Sequence, residues 1–229
     1  MYLRSLNGYT INSIGRVKEL NDYPDAVISA ATHNLKDYLN ETLFEGNESV
    51  VSMNIDEILK DSELGKLFGS KDSLNGVKSF VHNNKIYLIN NSNASVNDLI
   101  HEVFHLLLGS IRAKDFDLYE LILESVYLDD KTKKIKPRLK GIAERVNKSY
   151  ANFAEIDRIE EIVVRSLARN VENDVLFMGN EFDSENKAVL DLIVREFGNL
   201  NTRINKKFKQ LLNDTKSDIS FESAVKLIQ

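Results

Sequence analysis

The sequence contains no cysteine, no surplus of basic residues and no long hydrophobic run. The absence of cysteine excludes a disulfide scaffold, a thiolate metal site and a cysteine nucleophile. The net charge of −5 and the isoelectric point near 5.5 argue against a protein that works on nucleic acid or on an anionic membrane. A membrane-spanning helix needs about 18 consecutive apolar residues, and no stretch approaches that length.

The first ten residues lack the basic and apolar blocks of a secretory signal peptide. We therefore expect a soluble, cytoplasmic protein with neither a membrane nor a nucleic-acid partner. The lysines of residues 131–140 have no aromatic residues among them, which favours a solvated loop over a nucleic-acid surface. With 229 residues, 42% of them hydrophobic, the chain can form a substantial core.

The hydrophobic pattern predicts an α+β fold, with strands early in the chain and helices late. Residues 76–82 and 85–90 are rich in β-formers and flank Asn83 and Asn84, a pair that suits the tight turn of a hairpin. Earlier in the chain we expect a hairpin at residues 1–20 around Asn7-Gly8, a helix at 25–44, a strand at 50–53 and a helix at 55–59.

Residues 96–108 have helical periodicity. Asn93 or Ser95 is the expected N-cap of this helix, and Gly109 is expected to end it. Further helices are predicted at residues 117–128, 139–149, 152–171, 186–197, 202–212 and 220–228.

The predicted helix at 96–108 contains the motif H-E-x-x-H, at residues 101–105. His101 and His105 are separated by one helical turn and project from the same face, so that both imidazoles can bind one zinc ion. Glu102, beside the first histidine, can reach a water at the metal and act as the general base. The motif therefore predicts a catalytic zinc site.

A catalytic zinc site needs a third protein ligand. No histidine follows His105, and Ile111 stands where the longer motif H-E-x-x-H-x-x-G-x-x-H has its last histidine. His33 and His82 lie upstream and remain open. A carboxylate on a later helix is the favoured ligand.

The helix predicted at 152–171 carries two consecutive glutamates, Glu160 and Glu161. Its periodicity places Glu160 on the apolar, inward side and Glu161 on the flank. An acidic side chain on an apolar face needs a partner, and a metal ion would supply one. Periodicity alone thus favours Glu160.

These residues resemble a gluzincin-type zinc metallopeptidase of the zincin clan. The resemblance covers residues 76–170 and is carried by a strand, the motif helix and the later helix with paired glutamates. The sequence is similar to small zincin domains of phages and mobile elements. It implies a zincin-like domain at residues 1–180 and a helical C-terminal extension at 181–229, which packs on the domain or docks onto a partner chain. For a phage protein, the host cytoplasm or the virion is the expected location.

The resemblance implies zinc-dependent hydrolysis of a peptide or protein substrate. His101, His105 and a glutamate would bind the zinc ion, and Glu102 would be the base. In such families an apolar residue follows the ligand glutamate and a small residue follows three positions on, which favours Glu161. Glu160 stays open as the alternative ligand.

The resemblance also implies an edge strand on which an extended peptide binds, and Lys85–Asn90 is the expected strand. Tyr150 is the expected donor to the oxyanion of the reaction. The sequence departs from the family at Arg165, where an acidic partner is usual, and at Phe104, where many relatives carry a small residue. Asp157 or another carboxylate is expected to replace the acidic partner.

The alternative function is that of a structural or interaction protein that keeps a zincin fold without catalysis. It would be a component of a phage particle or of a mobile-element machine. Arg165 and the helical C-terminal extension favour this alternative.

Overall fold

A computed structural model of the protein describes residues 25–46, 48–90, 94–177, 185–212 and 221–227. In these residues the fold is mixed α+β, with one small sheet and a majority of helix, as the hydrophobic pattern predicts. The hairpin expected at residues 1–20 lies outside the described part of the chain.

The predicted elements of the described residues occur in the predicted order, and Leu64–Phe68 forms a further helix that the pattern does not predict. The elements are α1 (Asp25–Thr42), β1 (Val50–Met53), α2 (Ile55–Lys60), α3 (Leu64–Phe68), β2 (Ser79–His82), β3 (Lys85–Ile89), α4 (Val96–Lys114), α5 (Phe116–Tyr127), α6 (Lys140–Ser149), α7 (Glu155–Phe177), α8 (Glu185–Leu212) and α9 (Phe221–Lys226). Single 3₁₀ turns precede β2, at Asp72–Leu74, and α6, at Pro137–Leu139. Among the helices so described, none is long and apolar enough to span a bilayer.

The chain divides into two compact units. One consists of Met1–Val103 and Val175–Ala188, and the other of Phe104–Asp174 and Val189–Gln229. Helix α4 is continuous through the point where the first division falls.

The first unit contains the three-stranded sheet, whose strand order is β1-β3-β2. Strands β2 and β3 are antiparallel, with His82 opposite Lys85, and Asn83 and Asn84 have positive φ angles of 48° and 58° in the turn. The predicted hairpin is therefore confirmed. Strand β1 pairs in parallel with β3, with Val50 opposite Ile86.

The prediction that Lys85–Asn90 forms an edge strand is wrong, because β3 lies between β1 and β2. The parallel pairing was not predicted, because β1 has only four residues and lies more than thirty positions upstream of β3. The side chain of Asn40 holds β1 in place: its carbonyl oxygen accepts from the backbone N–H of Val50 at 2.8 Å, and its amide donates to the Val50 carbonyl. In this sheet β2 is an edge strand.

Helix α4 begins at the predicted N-cap, Ser95. The Ser95 hydroxyl accepts from the backbone N–H of Asp98, and the Asp98 carboxylate accepts from the Ser95 N–H at 2.8 Å, which forms a reciprocal cap. The predicted end at Gly109 is wrong, because the helix continues to Lys114. Buried Ile111 lies beyond the glycine, so the apolar stripe continues and its packing outweighs the low helix propensity of one glycine.

The second unit has a helical core around α7. Four consecutive or nearly consecutive α7 side chains are fully buried: Ile162, Val163, Val164 and Leu167. Phe104 of α4 is also fully buried, and its ring stacks on Phe197 of α8 with centroids 6.0 Å apart. This contact explains the large residue at position 104, where the resemblance leads one to expect a small one.

Helix α8 joins two predicted helices into one. The sequence predicts separate helices at 186–197 and 202–212, since Gly198 and two asparagines interrupt the pattern. The structure has a single helix, in which Leu200 is buried on the same side as Phe197 and Ile204. Burial of this stripe keeps the interrupting residues helical.

Candidate metal centre

Helix α4 carries the H-E-x-x-H motif in its middle, as predicted. His101 and His105 are half-buried and Glu102 is buried. Fully buried Val103 and Leu107 lie on the apolar side of the same helix, which fixes its rotation. The two imidazoles are therefore on one helical face, one turn apart.

Three side chains form a group that could hold a metal ion: His101 and His105 of α4, and Glu161 of α7. Each offers one ligand atom, and these atoms lie within 4.8 Å of one another. A tetrahedral zinc ion keeps its ligand atoms about 3.4 Å apart, so small side-chain movements suffice to close the group around an ion. Two imidazoles and one carboxylate are also the ligand set of many catalytic zinc sites.

The imidazole of His105 lies between Glu160 and Glu161 of α7. Its Nδ1 is 2.7 Å from Oε1 of Glu160, and its Nε2 is 3.0 Å from Oε2 of Glu161. With the Nδ1 proton donated to Glu160, Nε2 presents its lone pair toward Glu161, and it is the nitrogen available to a metal.

This geometry explains why periodicity and resemblance differ by one residue. Both glutamates are buried, as Glu160 is 9% exposed and Glu161 is 7% exposed. Glu161 belongs to the group of candidate ligands, as the resemblance implies. Glu160 contacts the other nitrogen of the same imidazole and takes the place of the expected acidic partner.

Glu160 is held by two further side chains. The Tyr119 hydroxyl donates a short hydrogen bond to its Oε2, and Nη1 of Arg112 lies 3.6 Å from the same oxygen. Burial acts to raise the pKa of Glu160, but the hydrogen bonds and charges of His105, Tyr119 and Arg112 hold that pKa below its usual value. Burial and the neighbouring carboxylate raise the pKa of Tyr119 well above its usual range, so the phenol keeps its proton and donates.

Asp157, named from the sequence as a replacement for the acidic partner, has a different contact. It accepts a hydrogen bond from Nη1 of Arg112 at 2.9 Å. The Arg112 guanidinium also lies over the ring of Tyr119, 5.3 Å from its centroid. Asp157 thus contacts Arg112, and Glu160 is the carboxylate that contacts Nδ1 of His105.

Arg165 forms an ion pair with the candidate ligand Glu161. Its Nε donates to Oε1 of Glu161 at 2.5 Å. Burial acts to lower the pKa of Arg165, but the Glu161 carboxylate outweighs it and raises that pKa above its usual value. Arg165 therefore contacts a candidate ligand directly.

Tyr150, predicted as the oxyanion donor, lies beside this ion pair at the end of α6. Its hydroxyl accepts from Nη2 of Arg165 at 3.4 Å, and the guanidinium lies 5.8 Å from the centroid of its ring. Its ring packs against the buried cluster that includes Val146 and Ile162. Tyr150 thus contacts a neighbour of Glu161, and its role in catalysis stays a prediction.

One hydrogen-bond donor to Glu102 is a neutral hydroxyl group. The hydroxyl of Ser79, the first residue of β2, donates to its Oε1 at 2.8 Å. Ser79 belongs to no recognisable motif, so the sequence offers no signal for this contact. A signal did exist for Tyr119, since a tyrosine on the buried, apolar stripe of a helix needs a polar partner for its hydroxyl.

The two upstream histidines lie outside the group of candidate ligands. His82 ends β2 and its Nε2 lies 3.8 Å from Glu63. His33 is exposed on α1. The described residues therefore support the carboxylate, rather than a further histidine, as the third ligand.

The chain matches no protein-family model, and the searches of curated proteins and of solved structures found no significant match. We therefore infer the function from the residues of the site and from their geometry.

Proposed function

We propose that the protein is a zinc-dependent metallopeptidase. One observation carries the proposal: the imidazoles of an H-E-x-x-H helix and a buried carboxylate from a later helix offer three ligand atoms within 4.8 Å of one another. Glu102, the residue that would act on water, is adjacent in sequence to the first of these ligands. This combination of residue types and spacing is the one that zinc peptidases use.

The residues fit a zinc ion in their chemistry as well as in their spacing. His101, His105 and Glu161 would be the ligands. The contact between Glu160 and His105 supports this assignment, because a metal-binding histidine usually donates its other N–H to a carboxylate. Such a contact fixes the tautomer and the orientation of the ring.

In the proposed reaction Glu102 moves a proton. A bound zinc ion would polarise the scissile carbonyl group and make the attacking water more acidic. One carboxylate oxygen of Glu102 takes a proton from the water and then delivers it to the nitrogen of the leaving amine. The hydroxyl of Ser79 restrains the other oxygen, Oε1, and so fixes the plane of the carboxylate.

In the proposal, a peptide substrate binds along strand β2 of the sheet. Strand β2 is an edge strand of the described sheet, and its first residue, Ser79, contacts Glu102. An extended peptide that pairs with β2 would pass close to the proposed base. β2 thus replaces β3 as the substrate-binding strand in the proposal, and Tyr150 remains the proposed oxyanion donor.

Hydrolysis of a protein substrate tests the proposal. The zinc-loaded protein is incubated with casein and with a mixed library of unstructured peptides, and new N-termini are identified by mass spectrometry. We expect cleavage that a chelator abolishes and that added zinc restores. Cleavage that persists in the chelator, or zinc-loaded protein that cleaves no peptide in the library, would contradict the proposal.

One observation favours the alternative of a catalytically silent zincin-fold protein. The ion pair between Glu161 and Arg165 balances the charge of the candidate ligand without a metal. A protein that binds zinc, cleaves nothing and self-associates in light scattering would support this alternative. The same experiment that tests hydrolysis therefore separates the two functions.

A further inference from the structure

We propose that Arg165 is a positioning residue that limits Glu161 to one metal-binding oxygen. The inference depends on the metal site of the proposed function. The two carboxylate oxygens of Glu161 face different partners: Oε1 accepts from Nε of Arg165 at 2.5 Å, and Oε2 lies 3.0 Å from Nε2 of His105. Oε2 is thus the oxygen that faces His105, and Oε1 is the oxygen that accepts from Arg165.

The number of oxygens that Glu161 supplies sets the coordination number of the site. A catalytic zinc site uses three protein ligand atoms and keeps its fourth position for water or substrate. A glutamate that binds through both oxygens adds a fourth protein ligand atom, so a site that still binds water becomes five-coordinate. A charge-assisted hydrogen bond to Oε1 opposes two-oxygen binding, because the bond must break before Oε1 can reach the metal.

The surroundings of Arg165 suit a fixed donor. Arg165 follows Glu161 by four residues on α7, so the two side chains are neighbours on one helical face. Tyr150 also contacts the guanidinium. Its hydroxyl lies 3.4 Å from Nη2 of Arg165, and the centroid of its ring lies 5.8 Å from the guanidinium carbon. Arg165 is also half-buried, which limits the number of conformations open to its long side chain.

Arg112, which lies near Glu160, has different contacts from Arg165. Arg112 pairs with Asp157 at 2.9 Å and lies 3.6 Å from Glu160. Its contacts are therefore with the carboxylate on Nδ1 of His105, and those of Arg165 are with the carboxylate on the Nε2 side. The arginine at the position where the family has an acidic residue thus acts on the ligand itself.

The test replaces zinc with cobalt(II) and compares three proteins: the wild type, Arg165→Met and the control Arg169→Met. Arg169 is exposed one turn further along α7. Four-coordinate cobalt absorbs visible light several-fold more strongly than five-coordinate cobalt. We expect strong absorption from the wild type and from Arg169→Met, and a several-fold weaker band from Arg165→Met, whose Glu161 binds through both oxygens.

Three outcomes would overturn the inference: a weak, five-coordinate spectrum from the wild type, equally strong spectra from the wild type and Arg165→Met, or no cobalt binding by the wild type. A five-coordinate spectrum from the wild type refutes the inference even if Arg165→Met fails to fold. Peptide hydrolysis is measured on the same samples. A wild type that cleaves peptides with no spectral change in the variant refutes the inference alone, and a spectral change in a protein that never cleaves peptides refutes the proposed function alone.

Discussion

Glu102 and Glu161 are equally buried, with each side chain in a residue that is 7% exposed, but their partners differ. In the unit that contains the sheet, Glu102 accepts from the neutral hydroxyl of Ser79. In the helical unit, Glu161 accepts from the cationic guanidinium of Arg165 and lies beside His105.

The difference in partners matches the difference in the proposed roles. A neutral donor orients a carboxylate without adding a full positive charge, so the carboxylate can still take up a proton. A cation favours the ionised form and fixes it in one direction, which suits a metal ligand. Equal burial is therefore compatible with two different proposed roles, since the neutral Ser79 donor suits a base and the cationic Arg165 donor suits a metal ligand.

The largest expected effect is the loss of hydrolysis on substitution of Glu102. Glu102→Gln removes the proton acceptor but keeps the size of the side chain, so we expect hydrolysis to fall by about a thousand-fold. Zinc content should stay unchanged. The matched control is Glu120→Gln, on the exposed side of α5, which should leave the rate of hydrolysis unaltered. A Glu102→Gln protein with near wild-type activity would refute its role as the base.

The next largest effects distinguish the role of Glu161 from that of Glu160. Glu161→Ala removes a ligand, and we expect it to lose stoichiometric zinc binding. Glu160→Ala removes only the partner of Nδ1 of His105, and its zinc affinity should fall by about 10- to 100-fold. Competition titrations with a zinc chelator measure both affinities. If Glu160→Ala proves the more damaging change, Glu160 is the ligand and the assignment must be reversed.

A smaller effect is expected at Ser79. Ser79→Ala removes one hydrogen bond to Glu102, and we expect hydrolysis to fall by about three- to ten-fold. Zinc affinity should not change, since Ser79 contacts no candidate ligand in the described contacts. Steady-state kinetics of this variant and of the exposed control Ser149→Ala provide the measurement. A loss of zinc from Ser79→Ala would show that the strand supports the metal and not the base.

The smallest effect is expected at Tyr119. Tyr119→Phe deletes the hydroxyl that donates to Glu160, but Glu160 retains its contacts with His105 and Arg112. We expect a decrease in zinc affinity of about two- to five-fold, less than for Glu160→Ala. The same chelator titration applies. A decrease as large as that of Glu160→Ala would mean that the tyrosine, rather than the arginine, holds the carboxylate in place.

The elements that local pattern determines were predictable from the sequence. Alternation and a turn-forming pair predict the hairpin, and Ser95 is one of the two caps predicted from their position before a periodic run. The end of α4 was missed because burial of Ile111 overrides the signal of Gly109, and the central position of β3 was missed because its parallel partner is distant in sequence.

The candidate site divides in the same way. The spacing of His101 and His105 follows from the periodicity of one helix, so a short motif predicts it. The contacts of Glu160 and Glu161 with His105 of α4 and Tyr119 of α5 depend on side chains from other elements. Of the contacts described for the two glutamates, only the ion pair of Glu161 with Arg165 lies within α7, so no pattern in that helix predicts which nitrogen of His105 each glutamate contacts.

The most direct test of the metal centre is the metal content of protein purified without a chelator and without a histidine tag. Mass spectrometry of the native protein would be compared for the wild type, Glu161→Ala and Glu120→Ala. We predict about one zinc ion per chain in the wild type and in Glu120→Ala, and none in Glu161→Ala. A wild type that carries no metal and takes up none when zinc is added would contradict the account.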